Sequence, residues 1–216
     1  MSRFILLKRI HRPLIINSYL RSHNIRKLQL GAGETILNGW LNTDLHPYIE
    51  GLIFLDVTQK FPFKEKTFDY ILSEHLIEHL TYLGGLRMLE ECFRVLRPGG
   101  KIRIATPDLD IILGLRNSRK TELQQRYIKY HMDHYLPDIG IDTDIFVINN
   151  AFRGFGHRFI YDHATLYKSL VKTGFIDITR HAPGESNDEM LRGIDCHAKD
   201  EMLSFTGLVL EAKRPA

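Results

Sequence analysis

The chain has 216 residues but little cysteine, no long apolar run and no internal repeat. Its two cysteines, Cys92 and Cys196, have no metal-binding spacing, so the sequence predicts no disulfide framework and no zinc site. Free cysteines fit a reducing compartment, and we expect a cytoplasmic protein. No stretch approaches the roughly 18 apolar residues of a membrane-spanning helix. With 44% hydrophobic and 25% charged residues, the composition excludes disordered and fibrous classes.

Acidic residues are absent from residues 1–33, which hold seven of the 29 Lys and Arg residues. The remainder carries 22 basic against 26 acidic residues, so the overall charge of +3 does not indicate a nucleic-acid partner. We expect residues 1–26 to form a basic N-terminal helical segment, broken or restarted at Pro13. Three roles are possible for this segment: packing on the main domain, peripheral contact with an anionic membrane, or an organellar transit peptide.

Residues 27–216 alternate short apolar segments with helical patterns, as one domain. The predicted strands cover residues 28–30, 40–44, 52–57, 68–73, 101–107, 175–181 and 205–213. A helix over 84–96 is indicated by apolar residues on one face, and Pro98 with the two following glycines ends it. A further helix begins after Asp162, a good N-cap, and ends at Gly174. This alternation predicts an α/β fold with a parallel sheet and helices on both faces.

Residues 108–160 interrupt the alternation and form a predicted insertion after strand five. The segment is rich in Tyr, His and Asp and contains two predicted helices, about 108–116 and 120–135, with no obvious strand. An insertion at the carboxyl end of a strand overhangs the ligand crevice of an open α/β sheet. Its polar aromatic residues are therefore candidates for the roof of a pocket. They are His131, His134, Tyr135 and His157.

Three successive predicted strands end in residues suited to a nucleoside ligand. Gly31 and Gly33 follow strand one and allow backbone amides to approach a ligand closely. The third glycine of a dinucleotide fingerprint is missing, because position 36 is Ile. Asp44 ends strand two, where a carboxylate can accept hydrogen bonds from both ribose hydroxyls, and Asp56 ends strand three, where it can accept from an exocyclic amine. Together they predict a nucleoside site at one edge of the sheet.

These segments resemble the class I S-adenosylmethionine-dependent methyltransferases, most closely their type 11 group. KLQLGAG resembles the first motif, LDVTQKFPF and TFDYILSEHLIEHL resemble the third and fourth strands, and EECFRVLRPGGKIRIATP is the most specific match. The resemblance runs from about residue 27 to 107, and more loosely to the end. Four segments together also look like a poorly assigned subfamily, often suspected of acting in surface-polysaccharide or lipid pathways: GWLNTDLHP, SEHLIEHL, GHRFIYD and GESND.

The resemblance implies a Rossmann-like seven-stranded sheet, mostly parallel with the last strand antiparallel, and S-adenosylmethionine as cofactor. The chain departs from the family pattern at Gln29, which stands where an acidic residue usually begins the first motif. A second departure is the short segment between the first motif and strand two, which implies that the first helix is stunted or absent. The implied cofactor-binding residues are Gln29, Leu30, Gly31, Ala32, Gly33, Asp44, Leu45, Asp56, Val57, Ser73 and Glu74.

His75-Leu76-Ile77-Glu78-His79 has two interpretations. It matches H-x-x-E-H, in which His75 and His79 on one helical face could hold a metal beside Glu78, as in a metallohydrolase. No third ligand is apparent, so we predict no metal. The favoured interpretation places His75 at the pocket mouth as a candidate general base, with His157 as a second candidate. His79 is then expected to be a packed, hydrogen-bonded histidine.

The sequence thus predicts a methyltransferase that acts on a small-molecule, carbohydrate or lipid-linked acceptor, at oxygen. Nucleic acid is not expected as a partner, because the segment after strand four lacks the motifs of DNA-methylating enzymes and residues 34–216 carry more acidic than basic residues. A non-catalytic cofactor-binding partner protein is the main alternative, and the metallohydrolase is the remote one. The oligomeric state is not predicted.

Overall fold

A mixed seven-stranded sheet forms the centre of the molecule. The computed structural model describes the backbone of residues 3–216 and the side chains of residues 12–216. The strands are β1 (Lys27–Leu30), β2 (Leu41–Asp44), β3 (Leu52–Phe54), β4 (Phe68–Glu74), β5 (Leu96–Pro107), β6 (Ile176–His181) and β7 (Gly207–Lys213). Their order is β3-β2-β1-β4-β5-β7-β6, with β7 antiparallel to both of its neighbours and β1 to β5 parallel. The predicted mostly parallel sheet with an antiparallel last strand is confirmed.

All seven predicted strands are present, and two of them differ from their predicted bounds by three residues or more. The third strand is shorter than expected, because β2 ends at Asp44, opposite Phe54, and beyond it only the amide of Leu55 bonds back to the Asp44 carbonyl. The fifth strand is longer, because Leu96 already pairs with Phe68 before the Pro98 turn. Burial on both faces explains why β1 and β4 read as apolar runs rather than as alternating strands.

Seven α-helices are described around the sheet. They are α1 (Arg3–Ser22), α2 (Tyr82–Val95), α3 (Leu109–Gly114), α4 (Glu122–Tyr135), α5 (Asp144–Arg153), α6 (His163–Lys172) and α7 (Glu201–Ser204). No helix interrupts residues 31–40, as predicted, and Asp162 caps α6 by accepting from the Thr165 amide at 2.7 Å. None of the described helices combines the length and the apolar character that crossing a membrane requires.

The insertion packs as a small helical layer with its own core. It contains α3 and α4 near their predicted positions, and also α5, which the sequence analysis did not predict. Residues from all three helices form the second apolar cluster of the fold, among them Ile112, Ile128, Met132 and Val147. Its apolar contacts with Ile160 and Met202 fix the layer over the carboxyl ends of the parallel strands.

Helix α1 continues through Pro13, so the predicted break there is wrong. Proline removes one helical hydrogen bond, but residues after it are held by the domain. Ile16 and Tyr19 are buried in the main core, and the Tyr19 hydroxyl accepts from the Lys27 amide at 2.8 Å. This packing opposes a break. The basic side chains of residues 3, 8 and 9 lie outside the described part, and membrane contact stays a prediction.

A buried ionic network fixes the connection between β6 and β7 to the sheet. Arg103 of β5 has no exposed surface; it donates to both carboxylate oxygens of Asp195 and, at 2.6 Å, to Glu211 of β7. Asp195 also accepts from the Gly184 amide at 2.8 Å. The segment that carries these residues is therefore held against the middle of β5, beside the site described next.

Candidate functional site

The turn after β1 combines a close contact with an open space. Gly31 and Gly33 have φ angles of +62° and +55°, a region that favours glycine. A Cβ at Gly31 would lie 2.8 Å from Leu76, so this glycine permits the turn to pack on the segment after β4. A Cβ at Gly33 would meet nothing within 4 Å. The turn is thus anchored on one side and accessible to a ligand on the other.

Asp44 lies where the sequence analysis expects it, at the end of β2, and Asp56 lies two residues beyond the end of the neighbouring strand β3. The Asp44 carboxylate accepts from the amides of Gly33 at 3.0 Å and His46 at 2.7 Å, which ties it to the glycine turn. Asp56 accepts from the amide and hydroxyl of Thr58. Each carboxylate oxygen has a second lone pair, so both groups retain capacity for a ligand.

Two buried polar atoms at this edge have no partner among the described residues. They are Oε1 of Gln29, on β1, and Oγ of Ser73, on β4. Buried polar groups are normally hydrogen-bonded, and an exception needs a reason such as a ligand. These two unpartnered atoms, together with the open space beside Gly33, mean that the residues at this edge fit a polar cofactor. The other predicted contacts flank the turn and the strand ends; Leu30, Ala32 and Val57 are buried, and Leu45 is exposed.

The carboxylate of Glu74 is already hydrogen-bonded to other residues of the protein. Its carboxylate accepts from the backbone amides of Cys196 and His197, each at 3.0 Å, and contacts the His197 ring at 3.0 Å. Burial alone would raise the pKa of Glu74, but these hydrogen bonds outweigh it and lower the pKa to about 2. Contacts with Cys196 and Glu74 raise the pKa of His197 to about 10. Glu74 thus fixes the position of the segment before α7. Its contact with the cofactor stays a prediction.

A cavity of about 320 Å³ opens between the segment after β4 and the helical insertion. Its wall on the sheet side contains His75, Glu78, His79 and His197, and the insertion adds His131, His157 and a group of aromatic rings. Those rings belong to Tyr127, Tyr130, Tyr135 and Phe155. The insertion therefore roofs a pocket, and of its four candidates His131, Tyr135 and His157 line it, whereas His134 is exposed.

His75 is held in an unusual backbone conformation beside a buried carboxylate. Its φ angle is +46°, which is rare for a residue with a side chain, and its Nδ1 donates to Glu78 Oε1 at 3.0 Å. Glu78 has no exposed surface, and its Oε2 accepts from Thr106 at 2.9 Å. Burial would raise the pKa of Glu78, but the hydrogen bond and charge of His75 outweigh it and lower that pKa. This leaves Nε2 of His75 free to act on a ligand.

The H-x-x-E-H segment does not form the helix that a metallohydrolase would use. It is a turn followed by a 3-10 helix, Ile77–His79, so His75 and His79 do not share a helical face as proposed. The expected hydrogen bond of His79 is also absent among the described residues; its ring packs edge-on against His157, with centroids 4.9 Å apart. His157 donates from Nδ1 to the Ala151 carbonyl at 2.6 Å, and burial lowers its pKa.

Sequence reasoning missed the residues that reach the pocket from the far end of the chain. His197 lines it, and Met202 and Thr206 complete that wall. The ring of His197 lies 4.3 Å from that of His75. Cys196 and His197 follow no recognisable motif, so only the fold brings them to β4. The sequence carried no signal for this, because the ion pair between the preceding Asp195 and Arg103 is visible only in the fold.

Comparisons with known proteins agree with this fold. The family model described as a methyltransferase domain matches residues 44–104. A SAM-dependent methyltransferase from Archaeoglobus fulgidus has a TM-score of 0.51 at 18% identity, covering 99% of this chain and 95% of that one. The apo form of the S-adenosylmethionine-dependent methyltransferase SibL has a TM-score of 0.52 at 16% identity, covering 97% and 56%. No protein of curated function matches the chain.

The chain spans about half the length of several solved structures that it resembles. Against the CurJ carbon methyltransferase the TM-score is 0.48 at 16% identity, with 90% of this chain and 50% of that one covered. The domain match and the strand order nevertheless confirm the resemblance to class I methyltransferases. They also support S-adenosylmethionine as the cofactor.

Proposed function

We propose that this chain, whose fold and domain match are those of class I methyltransferases, methylates a hydroxyl oxygen with S-adenosylmethionine. The acceptor is a small molecule, a carbohydrate or a lipid-linked group that fits the cavity under the insertion. One observation carries the proposal: Leu76 touches the glycine turn at Gly31, while its neighbour His75 lines the cavity. The cofactor edge and the acceptor cavity thus meet at His75.

The donor-site residues have distinct roles in this proposal. The Asp44 carboxylate, which also accepts from the Gly33 amide, would hold the ribose, and the open side of the Gly31–Gly33 turn would hold the methionine part of the cofactor. Asp56 would accept from the adenine amine. Gln29 and Ser73 offer the two unpartnered polar atoms. Gln29 brings no charge, so the methionine ammonium would be held by hydrogen bonds rather than by an ion pair.

His75 is the proposed general base. When bound, the cofactor would supply an electrophilic methyl group on a sulfonium; transfer to a hydroxyl would break the sulfur–methyl bond, leave S-adenosylhomocysteine and release the hydroxyl proton. Glu78 fixes the His75 ring through Nδ1, so Nε2 would accept that proton while the oxygen forms its bond to the methyl carbon. The buried carboxylate then stabilises the imidazolium that results.

The cavity favours a compact acceptor with an apolar face. Its volume of about 320 Å³ is at the small end of ligand pockets, and four aromatic rings line it beside the histidines. Aromatic faces pack well against sugar rings or planar groups, and the imidazoles can bind hydroxyls. This supports a single sugar residue or a small phenol-like headgroup, with any lipid or glycan remainder outside.

Transfer of labelled methyl groups tests the proposal. Purified protein and methyl-labelled S-adenosylmethionine are incubated with fractionated cell extract, and the labelled product is identified by mass. We expect one fraction to yield an O-methylated small molecule or glycan with the wild-type protein, and no product with His75→Gln. Binding of the donor without any transfer would favour the non-catalytic partner protein, for which Gln29 is the motivating residue.

A further inference from the structure

We propose that Glu78, His79 and His157 form a site for a divalent transition-metal ion in the wall of the acceptor cavity. One ligand atom from each residue lies within 4.8 Å of the other two, and all three residues line the cavity. His157 comes from the end of the insertion, far from the H-x-x-E-H segment in sequence. The fold thus supplies the third ligand that the sequence lacked, and this departs from the prediction of no metal.

Each of the two histidines has a ring nitrogen that is available to a ligand. His157 donates from Nδ1 to the Ala151 carbonyl at 2.6 Å, which fixes the tautomer with a lone pair on Nε2. Metal-binding histidines typically have such a partner on the other nitrogen. The His79 ring forms no hydrogen bond with any described residue and packs against His157. Both imidazoles are therefore positioned to offer a nitrogen lone pair to a metal ion.

Glu78 can serve as the carboxylate ligand without losing its present partners. Its two oxygens bond to His75 and Thr106, and each oxygen keeps a second lone pair. A carboxylate buried completely gains from an opposite charge beside it. In metal sites the ligating carboxylates are themselves hydrogen-bonded, as Glu78 is here.

The ligand set indicates the kind of ion. Two imidazoles and one carboxylate suit Zn²⁺ and related first-row ions, and three protein ligands leave an open position, as in catalytic zinc sites. Zinc ligands are about 3.4 Å apart when bonds of about 2.1 Å meet at tetrahedral angles. His79 and His157 are only partly buried, so small side-chain rotations can close the present separation. Because all three residues line the cavity, a bound ion would be accessible from it.

The open position would take an oxygen of the acceptor. That step rests on the proposed function, whereas metal binding itself does not.

A second group of possible ligands also comes together within 4.8 Å: Glu74, Cys196 and His197. There the carboxylate already takes two amides and a ring N–H, which accounts for its burial without an ion. Glu78, His79 and His157 therefore carry the proposal.

Titration of the metal-free protein with Zn²⁺ alone tests the site. We expect one Zn²⁺ per chain by calorimetry and elemental analysis, and affinity at least about tenfold weaker in His79→Ala and in His157→Ala. The control is His134→Ala, an exposed histidine that also contacts a backbone carbonyl through Nδ1, and it should bind as the wild type does. No stoichiometric Zn²⁺ in the wild type, or binding that survives both substitutions, would overturn the proposal.

Cobalt substitution keeps the test independent of how the variants fold. We expect wild-type protein with Co²⁺ to show the visible absorption of a four- or five-coordinate ion, and a shifted exchangeable proton from the His157 Nδ1–H. A spectrum of hexaaqua Co²⁺ alone contradicts the site. Binding of S-adenosylhomocysteine, measured on the same samples, separates this failure from that of the proposed function.

Discussion

At the scale of single residues, the acceptor side of the site depends on one strained histidine and one buried carboxylate. His75 adopts a left-handed conformation that costs about 1 kcal/mol or more for a residue with a Cβ. The bond to Glu78 and the contact with His197 hold it there. Strain of this kind persists where the surroundings fix it, and here it directs an imidazole into a cavity.

Replacing His75 by Asn separates its structural role from its chemical one. Asn tolerates the left-handed backbone and can donate to Glu78, but it cannot accept a proton near neutral pH. We expect a melting temperature within a few degrees of the wild type and methyl transfer reduced by about 10²-fold or more. The control is His134→Asn. Unchanged turnover in His75→Asn would contradict the general-base role.

His131 predicts how stability depends on pH. Burial lowers its pKa to about 4, so between about pH 6.5 and 4 the unfolded chain binds a proton that the folded chain does not. Stability therefore falls as the pH decreases through this window, by about 2–3 kcal/mol at pH 4.5. Urea unfolding at pH 7 and 4.5 should show a smaller acid loss in His131→Phe than in the wild type. An equal loss in both proteins would show that His131 is not the cause.

At the scale of secondary-structure elements, the sequence was informative for the sheet and less so for what covers it. Strands buried on both faces are continuous apolar runs, and the alternation of strands and helices predicts their parallel pairing. Asp44 and Asp56 could be placed because parallel strands end at one edge. Helix α5 (Asp144–Arg153) was missed although its signals were present: Thr143 occupies its N-cap position, and Val147, Ile148 and Ala151 form its buried face. The approach of His197 to Glu74 was unpredictable, because it depends on the whole connection between β6 and β7.

That connection is held by a network whose loss can be measured. Asp195→Ala would leave Arg103 of β5 buried with only Glu211 as a charged partner. Removing one member of a buried ion pair costs about 3–5 kcal/mol. Asp133→Ala, in an exposed pair with Lys129, is the matched control and should cost less than about 1 kcal/mol. Chemical denaturation measures both changes, and equal losses would contradict the account.

At the scale of the whole molecule, the cofactor edge, the cavity and the proposed metal site all lie at the carboxyl ends of β1 to β5. This is where open α/β sheets bind ligands, because loops diverge there and leave a crevice. The insertion closes the crevice from above, and the connection between β6 and β7 closes it from the side. The acceptor could not be named from the sequence, because much of its pocket is built from these two segments, which lie outside the matched residues 44–104.

Helix α1 belongs to the same molecular body through Ile16 and Tyr19, and its removal tests its role. We expect a chain that begins at residue 21 to be less stable, because two buried side chains and the Tyr19 hydrogen bonds are lost. Flotation with anionic vesicles compares the two chains for membrane contact. Unchanged stability together with lost vesicle binding would favour the membrane-surface alternative.

The central claim is that the edge formed by β1, β2 and β3 binds the methyl donor, and calorimetry tests it most directly. S-adenosylhomocysteine is titrated into the wild type, Asp44→Ala and the exposed control Asp133→Ala. We predict one site per chain in the wild type and the control, and at least about tenfold weaker binding in Asp44→Ala, because charged hydrogen bonds to the ribose are lost. No heat with the wild type, or equal affinity in Asp44→Ala, would contradict the account.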